Sequence, residues 1–196
     1  MRLGLAVLLI SILASCGPDL NPSANYSPQG SDAGHASAPR ISPPPVNPPT
    51  PPGTYLPPFA CADAKGGKTG VANTITARGS EQAGYDRFVL QLDPIVPAYT
   101  VKRQAKPVFT NGASGQSVTL SGTAGVLITV NSAKGATTFT GSTDLVFNGF
   151  QVLQEARQIQ DFEGYVSWGL GLSRPACMRV FVLNNPARLV VDLQTT

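Results

Sequence analysis

The sequence predicts a mainly all-β fold, built as a sandwich or an open barrel of short strands. Charged residues make up 13 % of the chain, whereas it contains 20 glycines and 18 prolines. From Cys61 onward, short apolar runs are separated by turn-forming stretches such as "NGASG", "AKGA" and "NNPA". Few charges, many turn residues and short apolar runs favour strands and tight turns over long helices stabilised by salt bridges.

The first residues are typical of a lipoprotein signal peptide, which we assign to residues 1–15. Arg2 precedes the apolar run "LGLAVLLISIL", which is shorter than the ~20 residues that cross a bilayer. The run ends in "LASC", which resembles a bacterial lipobox, although an ordinary signal peptide with a chance cysteine is the alternative. We predict acylation of Cys16, for example with palmitate, because several acyl chains together anchor a protein stably. The expected location is the cell envelope, on the extracytoplasmic side of a bacterial membrane.

A proline-rich tether is predicted over residues 16–59. Residues 17–59 contain 13 of the 18 prolines. Because proline lacks the backbone N–H and restricts the residue before it, this stretch cannot pair as a helix or a sheet. We expect a spacer, and a peptide ligand for an aromatic groove is the alternative. The chain's single histidine, His35, lies in this tether.

The domain predicted over residues 60–196 contains a series of short strands. They are expected near residues 71–77, 85–93, 98–103, 117–121, 125–131, 143–148, 163–172, 177–184 and 187–193. The stretch "QVLQEARQIQ" at 151–160 fits either one short helix or an irregular strand, because Val152, Leu153, Ala156 and Ile159 have helical spacing.

One phrase occurs twice in this domain. "RFVLQL" at 87–92 is echoed by "RLVVDL" at 188–193. In a strand, alternate residues face opposite sides, so each copy has one apolar face and an arginine, Arg87 or Arg188, on the other. We expect the copies to be equivalent edges or partners in a sheet pair. A related run, Arg179–Leu183, is apolar on both faces and predicts a central strand.

Three segments together resemble the AMIN-like domain of bacterial envelope lipoproteins. They are "GYDRFVLQLD", "QDFEGYVSWGLGL" and "RVFVLNNPARLVVDLQ", and the last contains the P-x-R-L-V-V-D-L ending found more widely in AMIN domains. The resemblance covers roughly residues 70–196. It implies a β-sandwich that binds without catalysis, with peptidoglycan as the presumed ligand. In AMIN proteins such domains place amidases and pilus secretins in the envelope.

Cys61 and Cys177 form an even pair once Cys16 is assigned to lipid. In an oxidising compartment they are expected to form a disulfide, and two buried free thiols are the alternative. Closing a loop of ~100 residues contributes up to about 4.7 kcal/mol in the chain-entropy model.

The residues predict no enzyme, no cofactor and no metal site. The domain contains no histidine, which excludes Ser-His-Asp and Cys-His catalysis and histidine-based zinc sites. Asp161 and Glu163 resemble a glycosidase pair, but neighbouring acids on a strand are more typical of a solvated surface. The net charge of +3 is scattered, and no basic cluster exceeds the pair Lys102-Arg103, so nucleic-acid binding is not expected.

The candidate ligand-binding residues fall into two groups. By strict alternation, Trp168 lies on a core face, whereas Asp161, Glu163 and Tyr165 share the polar face. Tyr165 is then expected to contact a ligand, with the two acids as hydrogen-bond acceptors. Arg87 and Arg188 are the second group and are candidates for binding peptidoglycan carboxylates. Alternatively, each arginine pairs with an acid of a neighbouring strand, such as Asp192 or Asp86.

Two functions remain open from the sequence. The first is a membrane-anchored lipoprotein whose domain binds peptidoglycan or another cell-wall glycan. The second is an accessory lipoprotein that docks on an envelope complex such as a secretin, a transporter or a divisome component. An exposed apolar strand edge would favour the second, because such an edge can pair with a strand of another protein.

Overall fold

The computed structural model describes residues 56–196, and every regular secondary-structure element in that range is a β-strand. The strands are β1 (Ala64–Gly66), β2 (Ala72–Gln82), β3 (Tyr85–Asp93), β4 (Tyr99–Gln104), β5 (Val108–Thr110), β6 (Ser117–Thr119), β7 (Ala124–Asn131), β8 (Ala133–Lys134), β9 (Asp144–Val146), β10 (Leu153–Phe162), β11 (Tyr165–Leu172), β12 (Met178–Leu183) and β13 (Ala187–Gln194). The predicted all-β class is therefore confirmed. The sequence missed β1, β5 and β8, which are two or three residues long.

The predictions for the first part of the chain lie outside the described residues. These are the signal peptide over 1–15, the acylation of Cys16 and the tether up to residue 55. Within residues 56–196, the structure has no helix of the length and hydropathy that a membrane span requires.

Two mainly antiparallel sheets pack across a shared apolar core. The six-stranded sheet has the order β1-β4-β7-β11-β10-β9, and the five-stranded sheet has the order β12-β13-β3-β2-β8. Trp168 on β11 and Phe88 on β3 meet between the sheets, with ring centroids 5.6 Å apart. Trp168 is 0 % exposed, which confirms the prediction that it belongs to the core.

Residues 153–160 belong to β10, so the predicted alternative of a short helix near 151–160 is wrong. β10 pairs with β11 on one side and with β9 on the other. Its register with β11 shifts between Leu153 and Glu155, and again between Gln158 and Gln160. Each shift inserts an extra residue and resets the alternation of faces. The helical spacing seen in the sequence therefore comes from two irregularities in a strand.

The echoed phrases are β3 and β13, which are direct antiparallel neighbours. Their register pairs Leu90 with Leu189 and Arg87 with Asp192. This confirms the predicted arrangement as partners, whereas the alternative of equivalent edges is wrong, because β3 and β13 are both interior strands of the five-stranded sheet. Phe88, Leu90 and Leu189 are at most 1 % exposed, and burying one such side chain contributes about 1.5–3 kcal/mol. The repeated phrase thus supplies the middle of the five-stranded sheet and much of its core face.

β12 is the outermost strand of the five-stranded sheet, so the prediction of a central strand is wrong. Val180 and Val182 pack partly against the core. On the opposite face, the ring of Phe181 lies under the guanidinium of Arg87, whose carbon is 5.5 Å from the ring centroid. The outer face of this sheet carries packed side chains as well, which explains why β12 is apolar on both faces although it is an edge strand.

A disulfide joins Cys61 to Cys177, which confirms the predicted pairing. Next to it, Ala60 and Met178 exchange two backbone hydrogen bonds of 2.8 and 2.9 Å. Together these contacts attach the start of the domain to the beginning of β12. The cysteines are 116 positions apart, so the disulfide closes a loop that contains most of both sheets.

The hairpin formed by β5 and β6 covers part of the outer face of the six-stranded sheet. Its Phe109 is 1 % exposed and lies against Gly125 on β7 and Gly169 on β11. A Cβ atom at either glycine would come within 2.9 or 2.8 Å of the Phe109 ring, respectively. These two glycines therefore create the recess that receives the hairpin. Phe109 does not cover the other end of the same face.

Candidate functional site

Tyr165 belongs to an aromatic pair next to the turn between β10 and β11. It is the cross-strand partner of Phe162, and the two side chains are 49 % and 51 % exposed, respectively. The turn between them consists of Glu163 and Gly164, which have φ angles of 50° and 79°. Two successive residues with positive φ are what a tight type I′ hairpin turn requires. The turn therefore places both rings side by side on the outer face of the six-stranded sheet.

Asp161 does not share a face with Tyr165, so the predicted grouping of Asp161, Glu163 and Tyr165 is wrong. Asp161 is paired with Val166, whose side chain is in the core. Strict alternation fails because the chain reverses at the two-residue turn. The Asp161 carboxylate accepts a hydrogen bond of 2.9 Å from the Gly135 N–H, so it stabilises the loop after β8. Glu163 is exposed in the turn itself.

A row of polar side chains continues the surface that begins at the aromatic pair. Tyr165 pairs with Asn131, and one step along the strands Ser167, Thr129, Thr100 and Lys65 are successive cross-strand partners. From Ser167 to Lys65 the row crosses three strand spacings, or about 14 Å. We call Phe162, Tyr165, Asn131, Thr129, Thr100 and Lys65 the aromatic strip. It combines two apolar ring surfaces with hydroxyl, amide and ammonium groups.

The outer face of the five-stranded sheet contains a buried carboxylate between two arginines. The Asp192 side chain is 0 % exposed. Its Oδ1 accepts a hydrogen bond of 2.6 Å from Nε of Arg87, and its Oδ2 accepts one of 2.9 Å from Nη2 of the same residue. Oδ2 also accepts a hydrogen bond of 2.6 Å from Nε of Arg179. Both Arg87 and Arg179 are thus occupied by one internal partner.

Aromatic rings enclose this arginine–aspartate cluster. The Arg179 guanidinium lies 4.5 Å from the ring centroid of Tyr85 and 4.6 Å from that of Phe59. The hydrogen bond with Asp192 raises the pKa of Arg87 above its ordinary value, against the opposing effect of partial burial. Arg87 is therefore a structural cation at every physiological pH, and Phe59 connects the start of the domain to the same cluster.

Arg188 has a different environment from Arg87. Its partner across the strands is Gln91, and its Nε donates a hydrogen bond of 3.2 Å to the Pro186 carbonyl. Among the described residues it forms no ion pair. Strand geometry places the Cα atoms of Arg87 and Arg188 roughly 14 Å apart, so the two arginines are not one site. Asp86 is on the core face, where it accepts hydrogen bonds from the backbone N–H groups of Val152 and Leu153.

A cleft of about 280 Å³ beside the end of β4 is lined by Arg103, Gln104 and mainly small or aliphatic residues, with no carboxylate or thiol among them. In the part of the chain that the structure describes, no three His, Cys, Asp or Glu residues come together as a metal site would require. The candidate ligand surfaces are the two outer sheet faces, where the strand pairing places Tyr165, Arg87 and Arg188.

Sequence reasoning did not single out Phe162, Arg179 or Arg78 as site residues. The "EG" dipeptide after Phe162 was the available signal, because a two-residue turn puts its flanking residues on one face. Arg179 begins the apolar run 179–183, but its pairing with Asp192 depends on β12 lying next to β13. Arg78 could not be recognised from the sequence, because its position opposite Val89 is set by the strand register.

Comparison with protein families gives a match over most of the described residues. The model of the AMIN-like domain matches residues 72–195, from the first residue of β2 to just after the end of β13. This range is well over half of the 196 residues. Neither the curated proteins nor the solved structures contain a significant match.

Proposed function

The chain belongs to the AMIN-like domain family, and on that premise we propose that it is an envelope lipoprotein whose domain binds peptidoglycan or another cell-wall glycan without catalysis. AMIN-like domains occur in periplasmic or envelope proteins. In this proposal Cys16 carries the acyl chains that hold the protein at the membrane. The proline-rich sequence between Cys16 and the domain suits a spacer that lets the domain reach the wall.

The observation that carries the proposal is the aromatic strip. A sugar ring has an apolar face formed by its C–H groups, and such a face packs well on an exposed aromatic ring. Its hydroxyl and acetamido groups need donors and acceptors nearby. Tyr165 and Phe162 provide adjacent rings, and Asn131, Thr129 and Thr100 provide the polar groups. Because this surface extends across several strands, a linear glycan fits it better than a single sugar.

The proposal is tested by co-sedimentation with purified peptidoglycan sacculi, using the full chain in a nonionic detergent. We expect saturable binding in wild type and roughly tenfold weaker binding for Tyr165→Ala, which corresponds to about 1.4 kcal/mol. Phe162→Ala should have a similar effect. Val146 is 65 % exposed and lies on β9, outside the strip, so Val146→Ala is the matched control and should bind as wild type does. Equal binding by wild type and a Tyr165→Ala/Phe162→Ala double variant would refute the role of the strip.

One observation favours docking on an envelope protein complex as a second function. Met178 directs its N–H and C=O outward to Ala60, so alternation directs the same groups of Val180 and Val182 to the outer edge of β12. Within residues 56–196, no strand pairs with that edge beyond Met178. An apolar edge strand of this kind can accept a strand from a secretin, transporter or divisome protein.

The two functions respond to different variants. Val182→Pro removes an outward N–H from the β12 edge, where proline is tolerated. If the chain acts by docking, crosslinking of the full-length lipoprotein in its native envelope should capture a defined complex in wild type, and this variant should lose it. Binding to sacculi should persist in Val182→Pro. Capture of the same complex by both proteins would argue against docking through this edge.

A further inference from the structure

We propose that Arg188 and Arg78 form a carboxylate-binding site beside the neutral Gln91, on the outer face of the five-stranded sheet, and that it takes the acidic peptide stems of the cell wall. This inference rests on the proposed wall binding and assigns a separate surface to the peptide part of the ligand. The aromatic strip lies on the other sheet.

The argument begins with the near-symmetry of the echoed strands. β3 and β13 pair so that Arg87 is opposite Asp192, and Arg188 is opposite Gln91. In the alignment of the two phrases, Arg188 is the counterpart of Arg87, and Gln91 is the counterpart of Asp192. The two cross-strand pairs therefore occupy equivalent positions, and they differ in that one contains a carboxylate and the other a neutral amide.

The Arg87–Asp192 pair shows how a carboxylate fits between these strands. Asp192 reaches two nitrogens of Arg87 at 2.6 and 2.9 Å, which is a bidentate arrangement. Residues directly opposite each other in an antiparallel pair are about 5 Å apart at Cβ. A carboxylate at the equivalent place beside Arg188 could make the same type of contact, but Gln91 carries no charge to supply it.

A second cation lies beside this position. Arg78 is paired with Val89, which places it diagonally from Gln91, at roughly 7–8 Å. Arg78 is exposed and forms no ion pair or side-chain hydrogen bond within the described part of the chain. The side chains of Val89 and Val190 are almost fully buried and form an apolar floor between Arg78 and Arg188.

Within residues 56–196, no acidic side chain forms an ion pair with Arg188 or Arg78. Asp192 is already held by Arg87 and Arg179. Asp93 is on the same face of β3, two residues beyond Gln91, and it makes no ion pair among residues 56–196. A ligand carboxylate between Arg188 and Arg78 would therefore meet two guanidinium groups, with Asp93 as the one acid on the neighbouring diagonal.

The test measures binding of L-Ala-γ-D-Glu-L-Lys by isothermal titration calorimetry, using the full chain in nonionic detergent. Arg188→Gln is expected to weaken binding about tenfold, because charge-assisted hydrogen bonds are lost. Gln91→Asp keeps the arginine but should weaken binding by a similar factor, since its carboxylate occupies Arg188 as Asp192 occupies Arg87. Gln91→Asn is the matched neutral control and should stay within twofold of wild type. Asp93→Asn should bind more tightly than wild type.

Two further ligands distinguish the possible sources of the anion. The same peptide with both carboxyl groups amidated should lose most of its affinity for wild type. The site assignment is overturned if the amidated peptide binds as well as the free acid, or if Gln91→Asp binds as Gln91→Asn does. Binding of poly(glycerol phosphate), but not of the peptide, would also overturn it in favour of a phosphodiester polymer. If Gln91→Asp fails to fold, Arg188→Gln and the amidated peptide still decide the question.

The carboxylate-binding site and the aromatic strip can be tested separately. Glycan strands freed of their peptide stems probe the aromatic strip, and their binding should depend on Tyr165. The soluble peptide contains no sugar, so Tyr165→Ala should change its affinity by less than twofold. Loss of peptide binding in Tyr165→Ala as well would contradict two separate surfaces.

Discussion

Replacing Asp192 by asparagine should destabilise the domain by about 3 kcal/mol. The wild-type carboxylate accepts three hydrogen bonds from Arg87 and Arg179, and each bond to a charged group contributes about 1.5–3 kcal/mol. These contributions do not add within one network, and breaking a buried ion pair typically costs about 3–5 kcal/mol. The low end applies here because asparagine keeps one oxygen acceptor. In addition, the two arginine side chains are 22 % and 13 % exposed and so keep some hydration.

Urea unfolding of the oxidised chain, followed by tryptophan fluorescence of Trp168, measures this difference. A domain of this size should also melt roughly 6–12 °C lower, at about 2–4 °C per kcal/mol. Arg188→Gln is the control, because Arg188 has no internal carboxylate partner in the described residues, and its change should stay within about 0.5 kcal/mol. If Asp192→Asn unfolds within 0.5 kcal/mol of wild type, the cluster does not stabilise the sheet and the reasoning is refuted.

Three further predictions concern packing, covalent closure and pH. Gly169→Val should displace the β5–β6 hairpin, because its Cβ would meet the Phe109 ring at 2.8 Å; faster hydrogen exchange over residues 105–121 would report this, and unchanged protection would contradict it. Replacing Cys61 and Cys177 by serine should lower stability by about 2–5 kcal/mol in urea unfolding, whereas an equal midpoint would show that the disulfide contributes little. Burial raises the pKa of Tyr99. The contribution of Tyr99 to folding stability is therefore complete below pH ~10 and declines above it, because the tyrosine ionises first in the unfolded chain. Tyr99→Phe should therefore lose less stability between pH 9 and 11 than wild type does, and parallel curves would exclude this residue as the cause.

The sequence predicted the fold more completely than it predicted the site. Alternation correctly assigned the core faces of β3 and β13 and the burial of Trp168, because those segments are regular strands with one apolar side. It failed at β10, where two bulges mimic helical spacing, and at the turn after Phe162, where the chain reverses. Both failures are irregularities of the strand pairing, and the period of two holds only where pairing is regular.

The sequence by itself determined the all-β class, the faces of the regular strands β3 and β13 and the family, because these depend on local alternation, turn residues and the closing motif. The tertiary structure decided which charged residues remain available to a ligand. Arg87 and Arg188 begin two similar phrases, yet the register places one against Asp192 and the other against Gln91. The strength of an ion pair depends on distance and burial, and for residues 105 positions apart both are properties of the assembled sheet.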